Sequence, residues 1–501
     1  MTLQFPGSWV PPVAAALTLL SATVVPATAS NAATAAAPPS ISWRACSGLP
    51  VPAPGLECGT LTVPLDHDRP GAGTVDVAVI RAKATGDRLG SLVMNFGGGG
   101  NGVVALATGH ERYAALRSRY DLVSFDPRGS GGTSRVTCGS DAALDRLFTL
   151  GPGIDDPVGR KAYLRGITAF VRDCQKESGR ILPHAGMGDV ARDMDLLRAA
   201  LGEGRLDYYG MSLGSVLGGV YATLYPRRVG RMVLDAGLDP RQSIMELEKR
   251  LTTAFQLSYE RFLEGCVKNG CDLGKDVKAA NRAVEGLVER LRRGPLTVGD
   301  RRLTADLAIT ALLGATAQPY WEELELRVAK AVKGDGAPLL EMADALNGRQ
   351  NGTYLPYAGL APSMYSSAVY CRDRERPARR DLVRLQAELT RISPLFGLFT
   401  PSTAYLVPVC AHWPVPVDPE GRTVGHTGAA PIVVIGSAKD PAAPLSGAAS
   451  LSGQLTNGVL VTYEGDLHGA YPTGGTCVTG AVEGYLFDGR VPARGVSCPA
   501  A

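Results

Sequence analysis

Residues 206–219 read LDYYGMSLGSVLGG and set Ser212 between Gly210 and Gly214. An apolar run precedes this stretch and a small-residue run follows it. A G-x-S-x-G turn between a strand and a helix bends the backbone sharply. The serine hydroxyl then stands out from the sheet edge, where it can attack a carbonyl. A tight structural turn can use the same pentapeptide, but the position between strand-like and helix-like segments favours a nucleophile.

Such a serine needs a base, and the base needs a carboxylate to orient it. On a strand–turn–helix elbow the chain order is serine, then acid, then histidine. His412, His426 and His468 follow Ser212. His412, in CAHWP, and His426, in a polar loop, both precede the strand-like run near 430. His468 follows an apolar run (458–465) and is the candidate base. Asp440 closes PIVVIGSAKD and is the candidate acid; Asp466 is the rival but shares the loop of His468. The anionic intermediate needs two backbone N–H donors. Leu213 is placed to supply one. The glycine-rich NFGGGGNG (95–102) offers the other, at Gly98 or Gly99. That loop lacks both G-x-G-x-x-G spacing and a Gly-Lys-Ser/Thr, which disfavours phosphate binding. No metal and no organic cofactor is expected.

The elements that must carry these groups are legible in the pattern. GSLVMNF (90–96), YDLVSFD (120–126), RMVLDAG (231–237) and APIVVIGSAKD (430–440) are short apolar runs. They alternate with helical spacing in DMDLLRAALG (193–202) and SVLGGVYATLY (215–225). This predicts an α/β fold with a mostly parallel central sheet covered on both faces. Sites in such sheets lie at the C-terminal ends of the strands. Charged helical patterns dominate from about 241 to 395. The expected layout is therefore a core from 43 to 240, a helical cap from 241 to 395, and the rest of the core from 396 to 501.

Net charge is only +3 over 501 residues and no Lys/Arg block stands out, so no nucleic-acid partner is expected. VAAALTLLSATVV (13–25) is too short to span a bilayer comfortably, and small residues follow it. It reads as a secretory signal over 1–29, cleaved near Ala29, with a flexible lead-in over 30–42. Its leading residues are unusual in having no Lys or Arg; the first basic residue is Arg44. The expectation is a secreted protein without a stable membrane anchor. The ten cysteines are scattered with no C-x-x-C, which favours disulfides over zinc. Neighbours in sequence suggest Cys46–Cys58, Cys138–Cys174, Cys266–Cys271, Cys371–Cys410 and Cys477–Cys498. Sequence alone leaves other pairings open.

Longer stretches carry a resemblance. They are CGTLTVPLDHDRP (58–70), YDLVSFDPRGSGGTSRVTC (120–138), the elbow region 193–240, CAHWP (410–414), and the end segment from Cys477 through GYLFDGRVPARGVSC. Through them the chain, from about Trp43 to Cys498, resembles secreted α/β-hydrolase peptidases of the tripeptidyl aminopeptidase type. These are actinomycete relatives of prolyl aminopeptidase. The resemblance implies an α/β-hydrolase fold, with Ser212 as nucleophile, Asp440 as acid and His468 as base. It also implies an exported serine exopeptidase that releases short peptides, tripeptides in this family, from the free N-terminus of a peptide substrate. Recognition of a free α-ammonium calls for an acidic cap residue. Glu246, Glu248, Glu322, Glu323 and Glu325 are candidates, each equally readable as a helix-face charge.

Three departures from the family pattern stand out. NFGGGGNG lacks both prolines of the family's N-P-G-G-P-G-G-S-G loop. Leu213 replaces a tyrosine. The acid motif D-x-x-T-P reads Asp440-Pro441-Ala442-Ala443-Pro444. These leave the triad intact and the substrate open. An exported esterase or amidase acting on a small molecule is the alternative, and a binding protein on a hydrolase scaffold is a third reading.

Overall fold

Runs of Val, Ile, Leu and Met with no alternation become strands buried on both faces. β4 (Gly90–Asn95), β5 (Tyr120–Phe125) and β8 (Ile432–Ser437) are buried at every position. In the computed structural model the described residues are 39–98, 100–131, 134–150, 157–316, 320–355, 364–397, 406–425, 428 and 430–501. The expected signal segment, Gly99 and His426 lie outside them.

The other strands of the main sheet are β1 (Arg44–Ala45), β2 (Glu57–Pro64), β3 (Thr74–Ala82), β6 (Leu206–Met211), β7 (Val229–Asp235), β9 (Gly458–Tyr463) and β10 (Val496–Cys498). The order is β1-β2-β3-β5-β4-β6-β7-β8-β9-β10. β1, β2 and β3 pair antiparallel, as do β3 and β5. All pairings from β5 onward to β10 are parallel. β4 therefore has its sequence successor β5 on one side and β6 on the other. In sheets of this kind a ligand site lies at the C-terminal ends of the strands beside such a reversal, here β4 and β6.

The helices in chain order are α1 (Gly102–Gly109), α2 (Asp141–Phe148), α3 (Pro157–Ser178), α4 (Met187–Ala200), α5 (Leu213–Leu224), α6 (Ile244–Asn269), α7 (Val277–Arg293), α8 (Ala305–Leu312), α9 (Trp321–Val332), α10 (Ala337–Asn347), α11 (Met364–Asp373), α12 (Arg379–Ile392), α13 (Leu406–Ala411), α14 (Leu445–Gln454) and α15 (Gly475–Asp488). The two-residue period of the strands divides the core. Val93, Val123, Leu234 and Val434 face α4, α5 and α14. Leu92, Met94, Val233, Val433 and Ile435 face α1 and α15.

β7 and β8 are neighbours in the sheet, yet the segment between them carries α6 to α13. α6 starts on a reciprocal cap, in which Ser243 Oγ accepts from the Glu246 N–H and Glu246 accepts from the Ser243 N–H. It stops at left-handed Gly270 (φ 90°). Tyr259, Phe262 and Leu263 of α6 form a separate core with α7 to α10. Ile244 and Leu247 join another, which also holds Leu144 and Leu147 of α2, Ile167 of α3 and Trp413. The helical layer thus draws on α2 and α3, which precede the elbow. Five disulfides join the cysteines neighbour to neighbour: Cys46–Cys58, Cys138–Cys174, Cys266–Cys271, Cys371–Cys410 and Cys477–Cys498. Among the described residues no helix is long and apolar enough to cross a membrane.

Candidate active site

Ser212 is the single residue between β6 and α5, and its backbone sits at φ 55°, ψ −120°. A non-glycine residue at positive φ costs about 1–3 kcal/mol and persists only where its surroundings hold it. Here the Ser212 N–H donates to the Asp235 carbonyl (3.0 Å), and the Ser212 carbonyl accepts from the Ser215 N–H (2.9 Å). The flanking glycines are needed for close approach. A Cβ on Gly210 would strike the Gly214 carbonyl, and one on Gly214 would lie 2.5 Å from the Asn95 oxygen. The turn therefore presents a partly exposed serine at the C-terminal edge of the sheet.

Two later strands bring the other groups. Asp440 follows β8 and its side chain is fully buried. One oxygen, Oδ1, accepts from the N–H groups of Ala442 (2.7 Å) and Ala443 (2.9 Å). His468 follows β9, and its Nδ1 lies 3.1 and 2.9 Å from the two Asp440 oxygens. A carboxylate there fixes the tautomer with the proton on Nδ1 and leaves Nε2 to accept one. Burial opposes the imidazolium, but the Asp440 hydrogen bond and charge outweigh it and raise the His468 pKa above the ordinary imidazole value. A third of the His468 side chain still reaches solvent (34%).

The elbow and the base loop are tied through Asp235, the last residue of β7. Its carboxylate is fully buried and accepts four hydrogen bonds. They come from the N–H groups of Ala236 (2.8 Å), Ala470 (3.1 Å) and Tyr471 (2.9 Å), and from the Tyr209 hydroxyl (3.0 Å). Gly469, beside His468, sits so close to Met211, beside Ser212, that a Cβ would lie 2.5 Å from the Met211 sulfur.

Facing the elbow is the glycine loop after β4. Gly97 (φ 82°) packs so tightly that a Cβ would lie 2.5 Å from the Met211 oxygen and 3.0 Å from the Leu213 nitrogen. Its own N–H is committed to Asn95 Oδ1 (3.0 Å). Gly98 comes next and is exposed. Leu213 opens α5, whose first N–H groups have no partner within the helix and carry the positive end of its dipole.

The rivals stand elsewhere. His412 Nδ1 faces the Pro408 carbonyl (2.8 Å), and Asp466 is exposed, 3.9 Å from Arg261. Of the acidic cap residues, Glu246 caps α6, Glu323 pairs with Arg327 (2.6 Å), and Glu325 accepts from the Asp272 N–H (2.8 Å). Glu322 is exposed and Glu248 is buried. Sequence reading missed Asp235. Its signal was a carboxylate ending an apolar strand at the edge where the site lies. It also gave no sign that Arg250 of α6 reaches the Ala442 carbonyl, beside Asp440.

A serine on a strained elbow at the reversal of a parallel sheet, with a histidine–aspartate pair from the loops of two later strands, defines an α/β-hydrolase. The family described as TAP-like protein matches residues 393–498. "Serine protease Hip1" of Mycobacterium tuberculosis is 34% identical over 479 residues, covering 91% of each chain. "Carboxylesterase B" of the same species is 31% identical over 482 residues, covering 92% of this chain and 90% of that one. "Tripeptidyl aminopeptidase" of Streptomyces lividans is 30% identical over 492 residues, covering 94% and 88%. The chain belongs to this TAP-like family of α/β-hydrolases, and it is a serine hydrolase.

Proposed function

We propose that this protein is an exported serine exopeptidase that releases short peptides, with tripeptides the expected unit, from the free N-terminus of peptide substrates. The observation that carries the reading is the His468–Asp440 pair, tied through Asp235 to the strained elbow at Ser212. Ser212 Oγ attacks the scissile carbonyl as His468 Nε2 takes its proton. Asp440 keeps the imidazole in the useful tautomer and stabilises its charged form. The Leu213 N–H and one from the loop at Gly98 and Gly99 donate to the oxyanion. His468 then protonates the leaving amine, and water attacks the acyl-enzyme by the same route in reverse.

The insertion, about 241–395, acts as a cap over the core formed by 43–240 and 396–501, with α2 and α3 packed into it. A cap of this kind limits how much of the acyl side can enter. Two relatives with coverage near the full chain are named as a protease and a tripeptidyl aminopeptidase, which supports a peptide substrate. Export is supported by the expected signal over 1–29 and by five disulfides, which persist in oxidising compartments. A second reading has its own support. A relative of equal coverage is named as a carboxylesterase, so the same triad could serve an exported esterase or amidase.

Three matched fluorogenic substrates separate them: a free-amine tripeptidyl amide, a single aminoacyl amide and a short acyl ester. The peptidase reading expects the tripeptidyl amide to be fastest, N-terminal acylation to stop it, and Ser212→Ala to be inactive. Turnover of the ester alone would favour the esterase.

A further inference from the structure

We propose that Arg250 is a positioning residue that couples the helical insertion to the acid turn, so that the seating of α6 on the core sets the alignment of Asp440 with His468. This rests on the triad reading above. Arg250 lies near the start of α6, the first helix after β7. Its guanidinium leaves the helix and reaches the core: Nη1 donates to the Ala442 carbonyl, and Nε donates to Gln242 Oε1 (3.1 Å). Ala442 is also the residue whose N–H donates to Asp440 Oδ1 (2.7 Å). One hydrogen-bonded chain thus runs from α6 through Arg250, Ala442 and Asp440 to His468.

This guanidinium, like those of Arg231 and Arg374, meets neutral acceptors rather than a carboxylate. Arg192, Arg327, Arg349 and Arg372 all meet carboxylates. Among the described residues no carboxylate lies within ion-pair distance of Arg250. A partly buried cation held by neutral acceptors alone is expensive in desolvation, and geometry is what it provides in return. Gln242, its side-chain partner, is gripped from a second direction: Arg374 donates to the Gln242 carbonyl (3.2 Å) and lies over the Tyr370 ring (4.5 Å). The entry into the insertion is therefore clamped between two arginines, and one of them continues to the acid.

The charges around each partner follow from this packing. His468 feels Asp440 and Asp235, which favour its protonated form, and Arg250, which opposes it. Arg250 feels the carboxylate of Asp440, the phenol of Tyr370 and the like charge of Arg374.

The test uses Arg250→Met and Arg250→Lys in the full chain, with two readouts. One is the NMR titration of the His468 ring proton, which needs no turnover. The other is the pH profile of hydrolysis of a small ester. Met removes both the charge and the bonds. His468 should then titrate at higher pH, the acid limb of kcat/KM should move up with it, and plateau kcat should fall about tenfold with KM little changed. Lys keeps the charge but cannot make both bonds, so the titration should stay near wild type while kcat falls. The proposal is overturned if both variants keep wild-type kcat and titration, or if KM alone rises, which would make Arg250 a substrate contact. Should the Met variant fail to fold, the Lys variant decides by its kcat. If the wild-type protein itself neither hydrolyses the ester nor reacts with a phosphonate, the triad reading fails. The His468 titration then judges the Arg250 coupling alone.

Discussion

The Ser212 N–H donates to the main-chain carbonyl of Asp235 at 3.0 Å, so the elbow is fastened to the end of the neighbouring strand. The side chain of the same aspartate holds the N–H groups of Ala470 and Tyr471, just past His468. The candidate nucleophile and the candidate base are thereby referenced to one residue. In Asp235→Asn an amide N–H would face an N–H donor, and an unsatisfied buried donor costs about 1–3 kcal/mol. The variant should unfold at lower temperature and lose kcat on a small ester. Wild-type values of both would remove Asp235 from the framework of the site.

The strain at Ser212 can be measured separately from its chemistry. Glycine adopts positive φ freely, whereas alanine does not. Ser212→Gly and Ser212→Ala should both be inactive. Ser212→Gly should nevertheless be the more stable of the two, by about 1 kcal/mol or more if the usual cost of such a backbone is released. Urea midpoints give the comparison, and equal midpoints would mean the elbow stores no strain.

His468 must be neutral to act as a base, and Asp440 raises its pKa above the ordinary value near 6.5. Activity should therefore fall as pH drops through a limb lying above about 6.5. Asp440→Asn should move that limb downward and cut plateau kcat by about 10³–10⁴-fold. The sign for stability runs the other way. A raised folded-state pKa contributes stability that is full below the unfolded value and is lost as pH rises through the folded one. A limb that stays put in Asp440→Asn would separate the aspartate from the base.

The Cys371–Cys410 bridge spans 39 residues and ties α11 to α13 within the helical layer. A closed loop of that length stabilises by about 3–4 kcal/mol through restriction of the unfolded chain. Replacing both cysteines by serine should lower the melting temperature. Because both residues belong to the cluster of the helical layer rather than to the elbow or the His468 loop, a small ester should still be turned over in the folded range. Calorimetry with and without the bridge checks the first part, and ester kinetics checks the second.

Much of this was legible because local pattern and global position agree. The apolar runs at 90–96, 120–126, 231–237 and 430–440 became β4, β5, β7 and β8, since strands covered on both faces need little polar alternation. Asp440 could be named because it closes such a run and His468 because it follows another at 458–465, and the two meet at 2.9 Å. Asp235 ends a run in the same way and went unread. Its partners Ala470 and Tyr471 lie more than two hundred residues away, and no local pattern announces a backbone donor. Arg250 was hidden among the many charges of an amphipathic helix; only the fold shows that it meets the carbonyl of Ala442. The run of glycines gives no sign that the Gly97 N–H is committed to Asn95 Oδ1.

The most direct test of the central claim, that His468 and Asp440 activate Ser212, is labelling of the intact protein with a fluorophosphonate, followed by peptide mapping. The expected result is one label per chain on Ser212, none in Ser212→Ala, and labelling slowed at least about a hundredfold in His468→Ala. A label on another residue, or an unchanged rate in His468→Ala, would contradict it.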